Sequence, residues 1–190
     1  MRLVIDDFYP EPDAVVDRAL ALPYARPGGA NYPGVMAPTF QEVGPIIERF
    51  SRLLGGLPLK YRGPQGAFRI TTEADMATRT SLVHIDSSDL SAVVYLARTP
   101  SEGTCFYRHR RLGLDHVTPG DQRWAEVQGA IVRDTLDPDA WELIDVIPMK
   151  YNRLLLFDGK HFHSGARRLT GNDLSQGRLT QNFFLFHVAR

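Results

Sequence analysis

The stretch RTSLVHIDSSDLSAVVYLARTPSEGTCFYRH, residues 79–109, decides what fold this chain adopts. Three segments within it, 79–85, 91–97 and 104–109, are rich in β-branched and aromatic residues and are separated by Ser, Asp, Pro and Gly. Such segments form strands, because these side chains pack well on a pleated, half-buried surface. The same pattern recurs at 67–72, 143–147, 152–157 and 178–188, and residues 2–5 make a short leading strand. Two helices come first. One covers 14–22, with Asp13 as N-cap and Ala14, Val15, Ala19 and Leu22 as its packed face. The other covers 41–54, where Val43, Ile46, Ile47, Phe50, Leu53 and Leu54 recur at helical spacing until Gly55-Gly56 ends it. Helices followed by at least seven strands predict a mainly β fold with flanking helices, a double-stranded β-helix or jelly roll.

At 190 residues the chain suits a single domain. Residues 1–60 would be an N-terminal helical support and 67–188 a jelly-roll core. An insertion at 113–141 interrupts that core, helical from about 119 to 136, with Trp124, Val127, Ile131 and Val132 as its apolar face. This insertion and the Pro- and Gly-rich loop 23–40 are candidates for covering an active-site mouth, since long loops in compact domains are often functional.

Lysine plus arginine equals aspartate plus glutamate at 22 each. A neutral chain offers no general attraction to nucleic acid or to an anionic membrane, so a small-molecule substrate is the expectation. Cys105 is the sole cysteine, which excludes an intramolecular disulfide and fits a reducing compartment. Acids within the first seven residues do not suit a secretory signal, and no window approaches the roughly 18 apolar residues of a membrane span. The expectation is a cytoplasmic protein, its oligomeric state open.

Three elements carry chemistry. His84-Ile85-Asp86 ends a strand, and residues two apart in extended chain project to the same side, so imidazole and carboxylate can meet one divalent ion. About 0.7 such His-x-acid triplets arise by chance in a chain of this composition, so the triplet alone equally suits a histidine hydrogen-bonded to an acid. The second element is NRLLLFDGKHFHSG, residues 152–165, with His161 and His163 also two apart. Either one would complete the facial triad of two histidines and one carboxylate expected of a non-haem iron(II) site. A catalytic zinc site would keep one open position rather than three. His161 also reads simply as a surface turn residue. The third element is Arg178-Leu179-Thr180. Arg178, Thr180 and Asn182 share a face opposite Leu179, Phe183 and Leu185, so Arg178 must find an anion or reach solvent.

In the order His84-x-Asp86, His163, Arg178-x-Thr180, the chain resembles the iron(II)/2-oxoglutarate-dependent dioxygenase superfamily, particularly its prolyl-hydroxylase-like members. SAVVYLARTPSEGTCFY and VIPMKYNRLLLFDGKHFHSG are similar to the superfamily's strands around the metal, and VIDDFYPEPDAVVDRAL to its leading strand and helix. The resemblance implies that His84, Asp86 and His163 bind Fe(II), the His-Ser-Gly context favouring His163 over His161. It implies that Arg178 and Thr180 hold the distal carboxylate of 2-oxoglutarate, and that Tyr95 matches a position where some relatives add a phenol. It implies an O2-consuming enzyme releasing succinate and carbon dioxide. Asp86 fills the place that halogenating relatives leave for chloride, so hydroxylation or a related oxidation is expected rather than halogenation. The 15-residue gap from His163 to Arg178, through RRLTGNDLSQG, is longer than the superfamily usually shows.

Within the one basic cluster, Tyr107 to Arg111, Arg108 and Arg110 are candidates to hold an anionic group on the substrate, a small amino-acid-like or carrier-linked metabolite. The cluster equally suits a solvated turn. Two other readings remain: a cupin-like metal enzyme that needs no 2-oxoglutarate, and a non-catalytic binding domain.

Overall fold

The computed structural model describes residues 1–27, 33–37, 43–76, 83–99, 102–118, 120–165, 171 and 173–188. The chain begins with strand β1 (Arg2–Ile5) and helix α1 (Pro12–Leu20). Strand β2 (Val35–Ala37), helix α2 (Gly44–Leu53) and strand β3 (Leu59–Tyr61) follow. Then come β4 (Ala67–Thr71), the single turn α3 (Glu73–Met76), β5 (Leu90–Tyr95) and β6 (Thr104–His109). Helix α4 (Trp124–Asp134) precedes β7 (Trp141–Ile147), β8 (Arg153–Asp158), the short β9 (His163–Ser164) and the long β10 (Arg178–His187).

Two antiparallel sheets result. The larger runs β1-β8-β5-β10-β4-β2, with β3 also paired to β10; the smaller runs β7-β6-β9. Alternation along the strands sorts side chains between layers. In β8, Leu154 and Leu156 face outward into a core with α1 and α2, where Phe50 lies 5.7 Å from Phe8 and 5.2 Å from Phe183 between ring centroids. Leu155 and Phe157 face inward and meet Tyr95 and Phe106, joining the two sheets. A third cluster, with Val127 of α4, Cys105, Tyr107 and Phe162, covers the outer side of the smaller sheet. These layers form the expected jelly-roll-like fold, although the sheets do not close into a barrel.

Several boundaries differ from expectation for local reasons. Pro12 opens α1, so Asp13 lies inside the first turn and caps nothing; it binds Arg98 and Tyr151 instead. The loop at 23–40 contains β2, paired with β4, while its residues 28–32 and 38–40 lie outside the described residues. Also outside are residues 79–82 of the expected strand at 79–85, residues 167–170 and 172 of the loop at 167–177, and position 119. In α4, Val127 and Ala130 are buried but Trp124 and Val132 are exposed, which narrows the expected apolar face. Among the described residues no helix is long and apolar enough to cross a membrane.

Candidate active site

His84 and His163 are brought together by the backbone. Each amide donates to the other's carbonyl oxygen, His84 N to His163 O at 3.0 Å and His163 N to His84 O at 2.9 Å. Residues paired this way project to the same side of the sheet, and the two imidazole centroids lie 4.4 Å apart. Asp86, two residues beyond His84, returns to that side. Its amide donates to Gly159 O at 2.8 Å, and Lys160 Nζ donates to its carbonyl oxygen at 2.8 Å. Asp86 Oδ1 then lies 3.7 Å from His84 Nε2, and Oδ2 lies 3.3 Å from His163 Nε2. One ligand atom from each of the three residues falls within 4.8 Å of the others.

The neighbours orient these ligands. His163 Nδ1 lies 2.9 Å from the His161 carbonyl oxygen, so that nitrogen carries the proton and Nε2 offers its lone pair. Phe157 packs edge-on against His163 at 4.8 Å. Ser91 Oγ donates to Asp86 Oδ2 at 2.5 Å and is itself 3.1 Å from Ser88 Oγ. Burial pushes the Asp86 carboxyl up, but His163, His84 and Ser91 together hold it well below its ordinary value. Burial likewise pushes His163 down, and Asp86 and the His161 carbonyl oxygen reverse this, leaving it raised. Two imidazoles and an acid, kept convergent by the backbone, form a site able to hold a divalent cation.

The triad lines a cavity of about 530 Å³ whose lining also includes Arg178, Asn182, Phe184 and Phe186 of β10. Arg178 is 8% exposed. Its Nη2 donates to Gly103 O at 3.3 Å, but among the described residues its Nε has no hydrogen-bond partner. Thr180 Oγ1, two residues on, is buried without a partner as well. Burial lowers Arg178 from its ordinary value, and the groups that favour its charge are Tyr95 and Cys105 rather than a carboxylate. A buried guanidinium beside an unused hydroxyl is costly unless an anion joins them.

Tyr95 sits opposite Thr180 across the β5–β10 pair, fully buried, with its phenol 2.7 Å from Thr104 Oγ1. Its ring lies 5.4 Å from the Arg178 guanidinium carbon, and neither Tyr95 nor Thr180 lines the cavity. Arg108 and Arg110 are placed elsewhere. Both are exposed at the end of β6, Arg108 lies 3.7 Å from Glu142, and neither reaches the cavity. Arg62 and Arg69 line it instead. Arg69 carried a legible signal: it alternates with Phe68 and Ile70 in β4, the same pattern that singled out Arg178. The insertion at 113–141 contributes nothing to the cavity wall among the described residues; it packs behind Phe162 and Cys105 on the outer side of the smaller sheet.

The sequence model of DUF6445, a family of unknown function, matches residues 2–185. The chain belongs to that family. No curated protein sequence matches this DUF6445 chain. Among solved structures, it is similar to HygX from Streptomyces hygroscopicus with nickel and 2-oxoglutarate bound, at 16% identity and TM-score 0.55, covering 97% of this chain and 82% of that one. It is similar to SnoN, a non-haem α-ketoglutarate-dependent epimerase from nogalamycin biosynthesis, at 15% identity and TM-score 0.56, covering 97% and 77%. An oxidoreductase of the 2OG-Fe(II) oxygenase family from Burkholderia pseudomallei is similar at 11% identity and TM-score 0.53, covering 97% and 83%. This DUF6445 chain therefore has the fold of the iron(II)/2-oxoglutarate-dependent oxygenases.

Proposed function

We propose that the protein is an Fe(II)- and 2-oxoglutarate-dependent oxygenase that hydroxylates a small amino-acid-like or carrier-linked metabolite in the cytoplasm. The observation that carries this reading is a convergent His84-Asp86-His163 set lining the same cavity as a buried guanidinium whose Nε lacks a partner among the described residues. A metal alone would explain the first half. It would leave the Arg178 nitrogen unsatisfied, and a dicarboxylate reaching from the metal toward it would not.

His84, Asp86 and His163 would hold Fe(II), and Arg178 the far carboxylate of 2-oxoglutarate, since Thr180 does not line the cavity. When bound with O2, this pair supplies oxidation of a C–H bond, coupled to release of succinate and carbon dioxide. The chain's own residues prepare that chemistry. The His161 carbonyl oxygen holds the proton of His163 on Nδ1, and Ser91 fixes one oxygen of Asp86. Tyr95, engaged by Thr104, supports the guanidinium from one side. Phe157, Phe184 and Phe186 give the cavity apolar surface that excludes water, and Arg62 and Arg69 suit an anionic group on the substrate better than Arg108 and Arg110 do. The bound ligands of HygX and the α-ketoglutarate dependence of SnoN support the same assignment by fold analogy.

The test is direct. Metal-free protein given ferrous iron and 2-oxoglutarate without oxygen should develop the weak visible charge-transfer band of the chelate, and admitting air should release succinate. A metal-binding chain with neither band nor succinate would return the site to a cupin-like enzyme, and a chain that binds no iron to a non-catalytic domain.

A further inference from the structure

His161 completes a second constellation. Residues 114–117 run antiparallel to 160–163, with Val117 N donating to Lys160 O at 3.1 Å and Phe162 N donating to Asp115 O at 3.0 Å. Those two bonds flank the opposed pair His116 and His161, making it a non-hydrogen-bonded pair, the kind in which facing side chains approach most closely. Their imidazole centroids lie 5.5 Å apart, and His116 Nδ1 is 2.8 Å from Asp115 Oδ1. One ligand atom from each of Asp115, His116 and His161 falls within 4.8 Å of the others. His116 is exposed and the other two half-buried, so an ion would enter directly from solvent and keep water ligands.

We propose that Asp115, His116 and His161 form a second divalent-cation site, suited to Zn(II), separate from the His84-Asp86-His163 centre. Two imidazoles and a carboxylate match the donor set of zinc sites that keep a position for water. Among the described residues no lysine or arginine forms an ion pair with Asp115, so its carboxylate is not committed to another cation. The backbone already holds the two histidines together, so little chain ordering opposes binding. The site also adjoins the first: the carbonyl oxygen of His161 is the atom that receives His163 Nδ1. A cation on the His161 ring would therefore stiffen the strand that presents His163.

The proposal stands independently of the oxygenase reading. Metal-free full-length protein is titrated with Zn(II) by calorimetry and equilibrium dialysis. The wild type should take up two equivalents, His116→Ala and Asp115→Asn one each, His84→Ala one, and the His84→Ala/His116→Ala double variant none. In the His84→Ala background Zn(II) should also raise the melting temperature, and adding His116→Ala should remove that rise. His116 is exposed, so its loss leaves folding intact, which far-ultraviolet circular dichroism verifies. Uptake unchanged by both His116→Ala and Asp115→Asn would overturn the proposal while leaving the first centre standing. Uptake that survives His84→Ala but vanishes with His116→Ala would uphold it and count against the first centre.

Discussion

His163 faces Asp86 with its Nε2 3.3 Å from Oδ2, while its other ring nitrogen is tied to the carbonyl oxygen of His161 two residues away. The carboxylate is therefore met by an imidazole whose orientation the backbone sets before any cation arrives. His84 approaches the other oxygen of the same carboxylate at 3.7 Å. Asp86 thus stands between the two imidazoles, one carboxylate oxygen nearest each ring.

Removing one ligand should end function without ending folding. His84 is part-exposed at the edge of the cavity, so His84→Ala should keep its far-ultraviolet spectrum while succinate formation falls to background. Undiminished succinate in that variant would refute the assignment of this centre.

Proton competition should govern metal uptake. His163 is raised above its ordinary 6.5, so its proton must leave before Nε2 can ligate, and affinity should climb as pH rises through and beyond that value. Stability of the metal-free chain should run the other way. The raised His163 stabilises fully below 6.5 and less as pH rises through its folded value. The depressed Asp86 stabilises above 3.8 and is lost as pH falls through its folded value. Denaturant midpoints of the metal-free protein should therefore peak between those two values, and a midpoint that keeps rising above neutrality would contradict this pairing.

Arg178→Met separates stability from ligand binding. An apolar chain of similar length in place of a buried cation without a carboxylate should leave the ligand-free protein as stable, or more stable by about 1–4 kcal/mol. Affinity for 2-oxoglutarate should fall by about 2–5 kcal/mol, roughly thirtyfold or more. Paired urea melts and 2-oxoglutarate titrations check both signs, and a variant that loses stability but keeps its affinity would place Arg178 in a purely structural role.

The supports of Asp86 should matter nearly as much as the ligand. Ser91→Ala removes the hydroxyl on Oδ2, and metal affinity should drop about 10–100-fold. Gly159→Ala acts by contact: an added Cβ would lie 2.7 Å from Ser88 O, in the turn whose carbonyl oxygen receives the Asp86 amide. The turn must shift, at a cost of about 1–3 kcal/mol. Calorimetric titration with Fe(II) or Co(II) should show both variants weakened, and a wild-type affinity for Gly159→Ala would mean that Asp86 keeps its place after the turn moves.

Alternation of apolar and polar side chains made the principal strands legible in the sequence, and with them the sheet face that carries Arg178, Thr180 and Asn182. The two-residue spacing of His84 and Asp86 needed only extended backbone. The strands β2 and β3 escaped because three residues are too few to show a period, and each exists only because a longer neighbour pairs with it. Spacing alone could not choose between His161 and His163. They are two residues apart, and backbone pairing sends His163 to His84 and His161 to His116. Sequence likewise offered a basic run at 107–111 as the anion site, whereas tertiary packing turns Arg108 and Arg110 to solvent and places Arg62 and Arg69 in the cavity. Local periodicity is a property of the chain. Which side chains share a cavity is settled by strand register between segments as distant as 84 and 163, and no local pattern records that register.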